Sequence, residues 1–173
     1  MYVDFDLLDP QSRIWVYQAD RLLTEVERSR LEVQLQQFCR TWKAHGRDLR
    51  ASFRILHNRF VLLGADESHN AASGCSIDTS VAALREIGRA LGIDLLNRQQ
   101  VAFLRGDEVH CIALGRVRDA VGQGLLLPDT PVFNTLVSTA ADLAEHWIKP
   151  AGNTWLARYF AGEKRTEDHT KSP

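Results

Sequence analysis

The sequence lacks a marked excess of charge of either sign. Its 173 residues carry 21 Lys and Arg against 22 Asp and Glu, a formal net charge of -1 at pH 7. A chain with so little net charge has no long-range field that would draw it to a nucleic acid or to an anionic membrane. We therefore expect no nucleic-acid partner.

Long apolar runs are also missing. The longest, such as residues 60–65, fall far short of the roughly 20 residues that are needed to cross a bilayer. Residues 1–6 carry acidic side chains where a secretory signal carries basic ones, and no apolar segment follows them. These features predict a soluble protein of the cytoplasm without membrane insertion.

Cysteine is scarce and has no close partner. Cys39, Cys75 and Cys111 make an odd number and form no Cys-x-x-Cys pair, which argues against a disulfide framework and a structural zinc site. The chain also has no His-x-x-x-His pair and no acidic loop with calcium-binding spacing. We expect free thiols in a reducing compartment, no metal site and no cofactor.

What the sequence contains is the composition of an ordinary globular domain, with 45% apolar and 25% charged residues. Six segments have the residue pattern of a strand or of a helix. The strands are predicted at 13–19, 51–56, 60–65 and 101–104, and the helices at about 25–45 and 77–91. Their order, β-α-β-β-α-β, is that of the split βαβ, ferredoxin-like sheet. We therefore predict an α+β fold of this type, in which 13–19 and 60–65 are the two central strands.

Local signals indicate where these elements begin and end. Thr24 and Glu27 have the spacing of a capping box at the start of the first helix. Gly46 and Gly92 are placed to end the two helices, as glycine often does. Asn58, which tolerates a positive φ, favours a tight turn between the second and third strands. The second strand alternates polar and apolar residues, as is typical of an edge strand.

We divide the chain into a ferredoxin-like core at 1–106, a smaller α/β extension at 107–162 that packs on it, and a disordered polar tail at 163–173. In the extension the patterns predict strands at 108–114 and 132–137. They also predict helices at 117–122, at about 140–148 and at 155–160. Thr139 and Asp142 are spaced to cap the second of these helices.

The loop before the second helix is the densest cluster of reactive side chains in the chain. Cys75 lies close to the predicted helix start, where the helix dipole favours a thiolate. His69 in the same loop, or His57 in the tight turn, is a candidate base for a Cys-His pair. The competing interpretation is structural: small residues, a glycine and a capping hydroxyl build a strand-to-helix turn that holds a buried cysteine.

The same loop is a candidate site for a small anion. Ser73, Gly74 and Ser76 surround the helix start, whose free amide groups bind phosphate or carboxylate. Arg54 and Arg59 of the hairpin would supply positive charge. Nearby acidic residues oppose this interpretation, and arginines on an edge strand are also typical of a solvated edge that resists pairing.

Five segments together resemble an uncharacterised family of small bacterial proteins that often carries the label "ABC transporter ATPase". They are Ser12-Arg-Ile-Trp-Val-Tyr-Gln-Ala-Asp20, Asn58-Arg-Phe60, Ala72-Ser-Gly-Cys-Ser-Ile-Asp78, Val132-Phe-Asn134 and Trp155-Leu-Ala-Arg158. The resemblance implies a cytoplasmic bacterial protein. The chain has neither the G-x-x-x-x-G-K-[ST] loop that holds a triphosphate nor the ABC signature sequence, so we expect no ATP hydrolysis of that type.

No complete catalytic constellation is visible in the sequence. The leading functional hypothesis is therefore a non-catalytic binding or adaptor protein, whose partner is a protein or a small anionic ligand. The alternative is a thiol-dependent enzyme or redox sensor that uses Cys75. Assembly into a homo-oligomer is left open by the sequence.

Overall fold

The computed structural model describes residues 1–67 and 74–161. They form two compact units, one of Met1–Arg98 with Thr135–Trp147 and the other of Gln99–Asn134 with residues 148–161. These bounds differ from the predicted division at residue 106, because residues 100–105 pair with the strand that follows them and residues 135–147 belong to the first unit. The predicted tail at 163–173 lies outside the described residues.

The helices and strands are as follows in chain order: β1 (Arg13–Gln18), α1 (Glu25–Thr41), β2 (Lys43–Ala44), β3 (Arg47–Asp48), β4 (Arg50–Leu56), β5 (Phe60–Asp66), α2 (Gly74–Leu91), β6 (Gln100–Arg105), β7 (Glu108–Ala113), α3 (Val117–Gly122), β8 (Pro131–Phe133), α4 (Ala140–His146), β9 (Ile148–Pro150) and α5 (Ala157–Phe160). A short 3-10 turn, Phe5–Leu7, precedes β1.

The first unit is built on an antiparallel sheet with the strand order β1-β5-β4. β5 is central and almost wholly buried, and β4 is an edge strand, which confirms both predictions for the hairpin. The prediction that β1 is a central strand is wrong, because β1 pairs with β5 alone among the strands of this sheet. Residues 13–14 are bridged on their other side by residues 138–139.

The α+β class is confirmed, whereas the ferredoxin-like topology is not. The fourth predicted strand, β6, belongs to a separate sheet with the order β7-β6-β8-β9. β6 pairs with β7 through the tight turn at Gly106, which has a φ of +61°. Pairing with the next strand along the chain closes a much shorter loop than pairing with β1 would.

Helices α1 and α2 cover one face of the first sheet. Leu31 and Leu35 of α1 and Leu84 of α2 are buried together with Val61 and Leu63 of β5. The other face is covered by the N-terminal segment and by residues 140–147, where the ring of Trp147 meets that of Phe60 edge-on at 5.0 Å. The sheet is therefore covered on both faces, which explains why β5 is apolar without alternation.

Two of the predicted helix boundaries are confirmed by their hydrogen bonds. The capping box is present: Glu27 N donates to Thr24 Oγ1 at 3.3 Å, and Thr24 N donates to Glu27 Oε2 at 2.8 Å. Gly92 ends α2 with a φ of +67°, in a Schellman motif in which Ile93 N donates to Gly88 O at 2.9 Å. Asn58 has a φ of +47° in the predicted turn.

The predicted C-terminus of α1 is wrong. The helix ends at Thr41, and β2 and β3 form a small hairpin over residues 43–48, which begins within the predicted last turn. His45 and Gly46, with φ of 51° and 76°, form the turn of this hairpin. A pair of residues with positive φ is what a two-residue hairpin loop requires, so Gly46 serves a strand turn instead of a helix end.

The second unit has its own core, formed by β6, β8, α3 and the segment around Leu126 and Leu156. Helix α3 has the predicted bounds. In the first unit, α4 is about two residues shorter than predicted, and Thr139 Oγ1 accepts the predicted capping bond from Asp142 N at 3.0 Å. The predicted strand at 132–137 is reduced to β8, and β9 was not predicted.

Candidate functional site

Cys75 is the second residue of α2 and is exposed. This position near the helix start was predicted, but the interpretation as a buried turn-filling cysteine is wrong. Cys39 in α1 is the buried thiol of the described chain, and burial raises its pKa to about 12. His69 and Ser73 lie outside the described residues.

The structure does not bring Cys75 and His57 together. His57 lies in the turn between β4 and β5, and the neighbouring Asn58 accepts a hydrogen bond from Arg28 near the N-terminus of α1 at 2.9 Å. Ser76, the neighbour of Cys75, accepts one from the indole that follows the C-terminus of α1, also at 2.9 Å. These two contacts are made 14 residues apart along α1, at Arg28 and Trp42, which corresponds to about 21 Å of helix. The Cys75–His57 pair is not assembled.

The predicted anion site is not assembled either. Gly74 begins α2 on the helix-covered face of the sheet, and Ser76 is buried. Arg59 is buried as well, and its Nη1 donates to Ala19 O at 3.1 Å, which makes it part of the framework. Arg54 points to the opposite face, because its neighbour Ile55 faces the helices and successive side chains alternate along a strand.

Arg54 instead reaches a cleft on the second face of the sheet, which we call the Arg54 cleft. Its cavity volume is about 370 Å³, within the roughly 300–1,000 Å³ usual for ligand sites. The cleft is lined by Phe5, Asp6, Leu8, Pro10, Arg54, Leu56, Ala140, Ala141, Leu143 and Ala144. Apart from Arg54 and Asp6, these side chains are apolar, so the cleft combines a hydrophobic wall with one pair of opposite charges.

Hydrogen bonds to backbone carbonyl groups hold the walls of the cleft in place. Ala141 N donates to Pro10 O at 2.9 Å, which ties α4 to the segment before β1. Arg50 Nη2 donates to Leu7 O at 2.8 Å and so anchors the 3-10 turn to β4. The α4 wall presents mainly alanines, and their short side chains leave room that larger residues would fill.

The guanidinium of Arg54 has two partners at the mouth of the cleft. Its Nη2 lies 2.6 Å from Asp6 Oδ1, and its Cζ lies 4.4 Å from the centre of the Phe5 ring. The hydrogen bond and the charge of Arg54 lower the pKa of Asp6 below its ordinary value. Asp6 is 84% exposed and Arg54 35% exposed, so solvent screens the pair. Asp6 is therefore a solvent-exposed partner of the guanidinium.

Sequence reasoning named Arg54 but assigned it the wrong neighbours. It missed Asp6 and Phe5, which lie far from Arg54 along the chain and reach it through the N-terminal segment. The alternation of β4 carries a usable signal, because it places Arg54 on the face opposite Phe53 and Ile55. Nothing in the local sequence indicates which segment covers that face.

Residues 1–67 and 74–161 hold no group of three or more His, Cys, Asp or Glu side chains placed to bind a metal ion. Over the same ranges, no helix has both the length and the apolar character to span a bilayer. Comparison with protein-family models, with curated proteins and with solved structures found no match to this chain.

Proposed function

We propose that this chain is a non-catalytic binding protein for a small carboxylate with an apolar tail, which it holds in the Arg54 cleft. The observation that carries the proposal is a guanidinium at the mouth of an apolar cleft, neutralised by the exposed carboxylate of Asp6. Asp6 occupies the position on Arg54 that a ligand carboxylate would take. The family resemblance, with its implication of a bacterial cytoplasmic protein, stays a prediction beside it.

The expected ligand follows from the two parts of the cleft. A carboxylate pairs with a guanidinium through two parallel hydrogen bonds, which also fixes the orientation of the ligand. An apolar tail would lie against Leu56, Leu143 and the alanines of α4. At about 0.5 kcal/mol per non-hydrogen atom, a ligand the size of octanoate would bind with a Kd on the order of 0.2 mM.

Isothermal titration of the protein with octanoate at pH 7 tests the proposal. Arg54→Gln should weaken binding by about tenfold or more, because hydrogen bonds to a charged group contribute about 1.5–3 kcal/mol. Arg116→Gln is the matched control, since Arg116 also pairs with an aspartate, Asp119 at 2.9 Å, but lies outside the cleft. Octan-1-ol, which lacks the carboxylate, should bind less tightly than octanoate.

Two results would overturn this function. One is an absence of octanoate binding to the wild-type protein at millimolar concentration. The other is equal loss of affinity in Arg54→Gln and Arg116→Gln, which would point to a nonspecific effect of net charge.

A second candidate function is thiol chemistry at Cys75, and the observation that favours it is the exposure of this residue in the first turn of α2. His57 is too distant to serve as its base. A thiol-dependent activity would therefore need a different base, and it should be lost in Cys75→Ser but retained in His57→Ala.

A further inference from the structure

Edge strand β4 carries outward-facing backbone groups along its length. At Ala51 they are used: Ala51 N donates to Met1 O, and Val3 N donates to Ala51 O, both at 3.0 Å. Because these groups face outward at every second residue, those of Phe53 and Ile55 also face away from β5. Within residues 1–67 and 74–161, no hydrogen bond reaches the outward amide and carbonyl groups of Phe53 and Ile55.

The open part of the edge borders a groove between β4 and α1 with a volume of about 600 Å³. Tyr2, Phe53, Arg54 and Ile55 line its strand side. Its helix side is mainly polar, with one apolar residue, Val33, which is 67% exposed; the α1 residues are Arg28, Ser29, Glu32, Val33 and Gln36. The edge of β4 beyond Ala51 is open because the N-terminal segment leaves β4 after Val3 and continues into the 3-10 turn Phe5–Leu7. Residues 1–3 thus already pair with the edge as an added strand does, and the groove continues from the point where they stop.

We propose that an extended peptide segment of another protein docks here as a strand added to β4, with an acidic residue opposite Arg54 between two apolar residues. Strand addition takes its affinity from backbone hydrogen bonds and its specificity from alternate side chains. The residue opposite Arg54 would share the face of the guanidinium, and a carboxylate there would take the place of Asp6. A ligand carboxylate in the Arg54 cleft would compete with it for the same group. Its two neighbours would point into the groove, toward Val33 and the ring of Phe53.

A second copy of this chain fits the edge less well. Antiparallel self-pairing with Phe53 opposite Ile55 would place Arg54 directly opposite Arg54 of the second copy, and like charges in that position destabilise a sheet. A register with Phe53 opposite itself would need the outward groups of Ala51, which are already bonded to Met1 and Val3. The remaining register would pair Phe53 with His57, which lies in the turn with a φ of +52°.

Fluorescence anisotropy with a labelled peptide, Lys-Thr-Val-Glu-Val-Thr-Lys, tests this site on the full chain. One methylated form carries N-methyl groups on both valine amides, and a second carries one on the glutamate amide. Since every second amide of an added strand faces its neighbour, one form should lose about tenfold or more in affinity while the other stays within about twofold. Replacing the glutamate by lysine should also weaken binding about tenfold.

Ile55→Pro tests the same contact from the protein side, because proline removes the outward amide, and an edge strand tolerates proline at such a position. It should abolish peptide binding while octanoate binding persists, and Ile55→Val should retain both. Similar losses for the two methylated peptides, full binding by Ile55→Pro, or no binding of the unmodified peptide at 1 mM would each overturn the proposal. A dimer of the free protein in light scattering that is lost in Ile55→Pro would also overturn it, in favour of self-pairing.

Discussion

Replacing Gly88 with alanine perturbs the packing at the C-terminus of α2. Gly88 accepts the hydrogen bond from Ile93 N at 2.9 Å that closes the Schellman motif. A Cβ atom at this position would lie 2.5 Å from Ile93 O and 3.5 Å from Leu95 Cγ. The nearest obstacle is backbone, and it is held there by the same motif, so it cannot move aside without opening the cap.

Two effects of opposite sign decide the outcome. Alanine in place of glycine within a helix ordinarily stabilises by about 1 kcal/mol. Overpacking of a filled site costs about 1–3 kcal/mol, and loss of the capping hydrogen bond adds about 1 kcal/mol. We therefore expect Gly88→Ala to lower the free energy of unfolding by about 1–3 kcal/mol, although helix propensity alone predicts a gain.

Urea denaturation followed by circular dichroism at 222 nm measures this difference. Gly74→Ala is the matched control, because Gly74 begins the same helix and a Cβ atom added there would meet no other atom within 4 Å. The control should change stability by less than about 0.5 kcal/mol. A Gly88→Ala protein at least as stable as the wild type would refute the reasoning.

Three further outcomes follow from local contacts. Iodoacetamide should label Cys75 well before Cys39 in the native protein, because Cys75 is exposed and burial raises the pKa of Cys39 to about 12. Peptide mass mapping measures the two labelling rates, and equal rates would contradict the burial of Cys39. The hydrogen bond from Arg21 lowers the pKa of Glu27 from 4.5 to about 2, so its stabilising effect should be complete above pH 4.5 and disappear as the pH falls to about 2. Urea titrations of wild type and Glu27→Gln should therefore converge near pH 2, and a constant difference would count against this. Thr24→Ala should cost about 1 kcal/mol in the same assay and Thr24→Ser much less, whereas equal values would argue against the cap.

The features that sequence predicted well are those set by neighbouring residues. The capping box of Thr24 and Glu27 and the glycine at 92 depend on contacts within one helical turn. The central position of β5 was also predictable, because a strand covered on both faces must be apolar on both. The tight turn at Asn58 belongs to the same class of local signal.

The features that sequence did not predict depend on distant pairing. Apolar alternation marks β6 as a strand but does not name its partner, and β6 pairs with β7 in a separate sheet. A glycine placed after a helical pattern, as Gly46 is, often ends a helix, but the turn of a two-residue hairpin requires the same positive φ. In the candidate site, Arg54 was identified, but its partner Asp6 lies 48 positions away, and only the path of the N-terminal segment brings the two together.

The affinity of Asp6→Asn protein for octanoate at pH 7 tests the proposed binding role of the Arg54 cleft most directly. In the wild type the Asp6 carboxylate lies 2.6 Å from Arg54 Nη2 and competes with a ligand for it. Removal of this charge should tighten octanoate binding by about two- to fivefold, whereas Asp119→Asn, which breaks the matched pair with Arg116, should leave it unchanged. Unchanged or weaker binding by Asp6→Asn would contradict the role of Arg54 as the anion-binding group of the cleft.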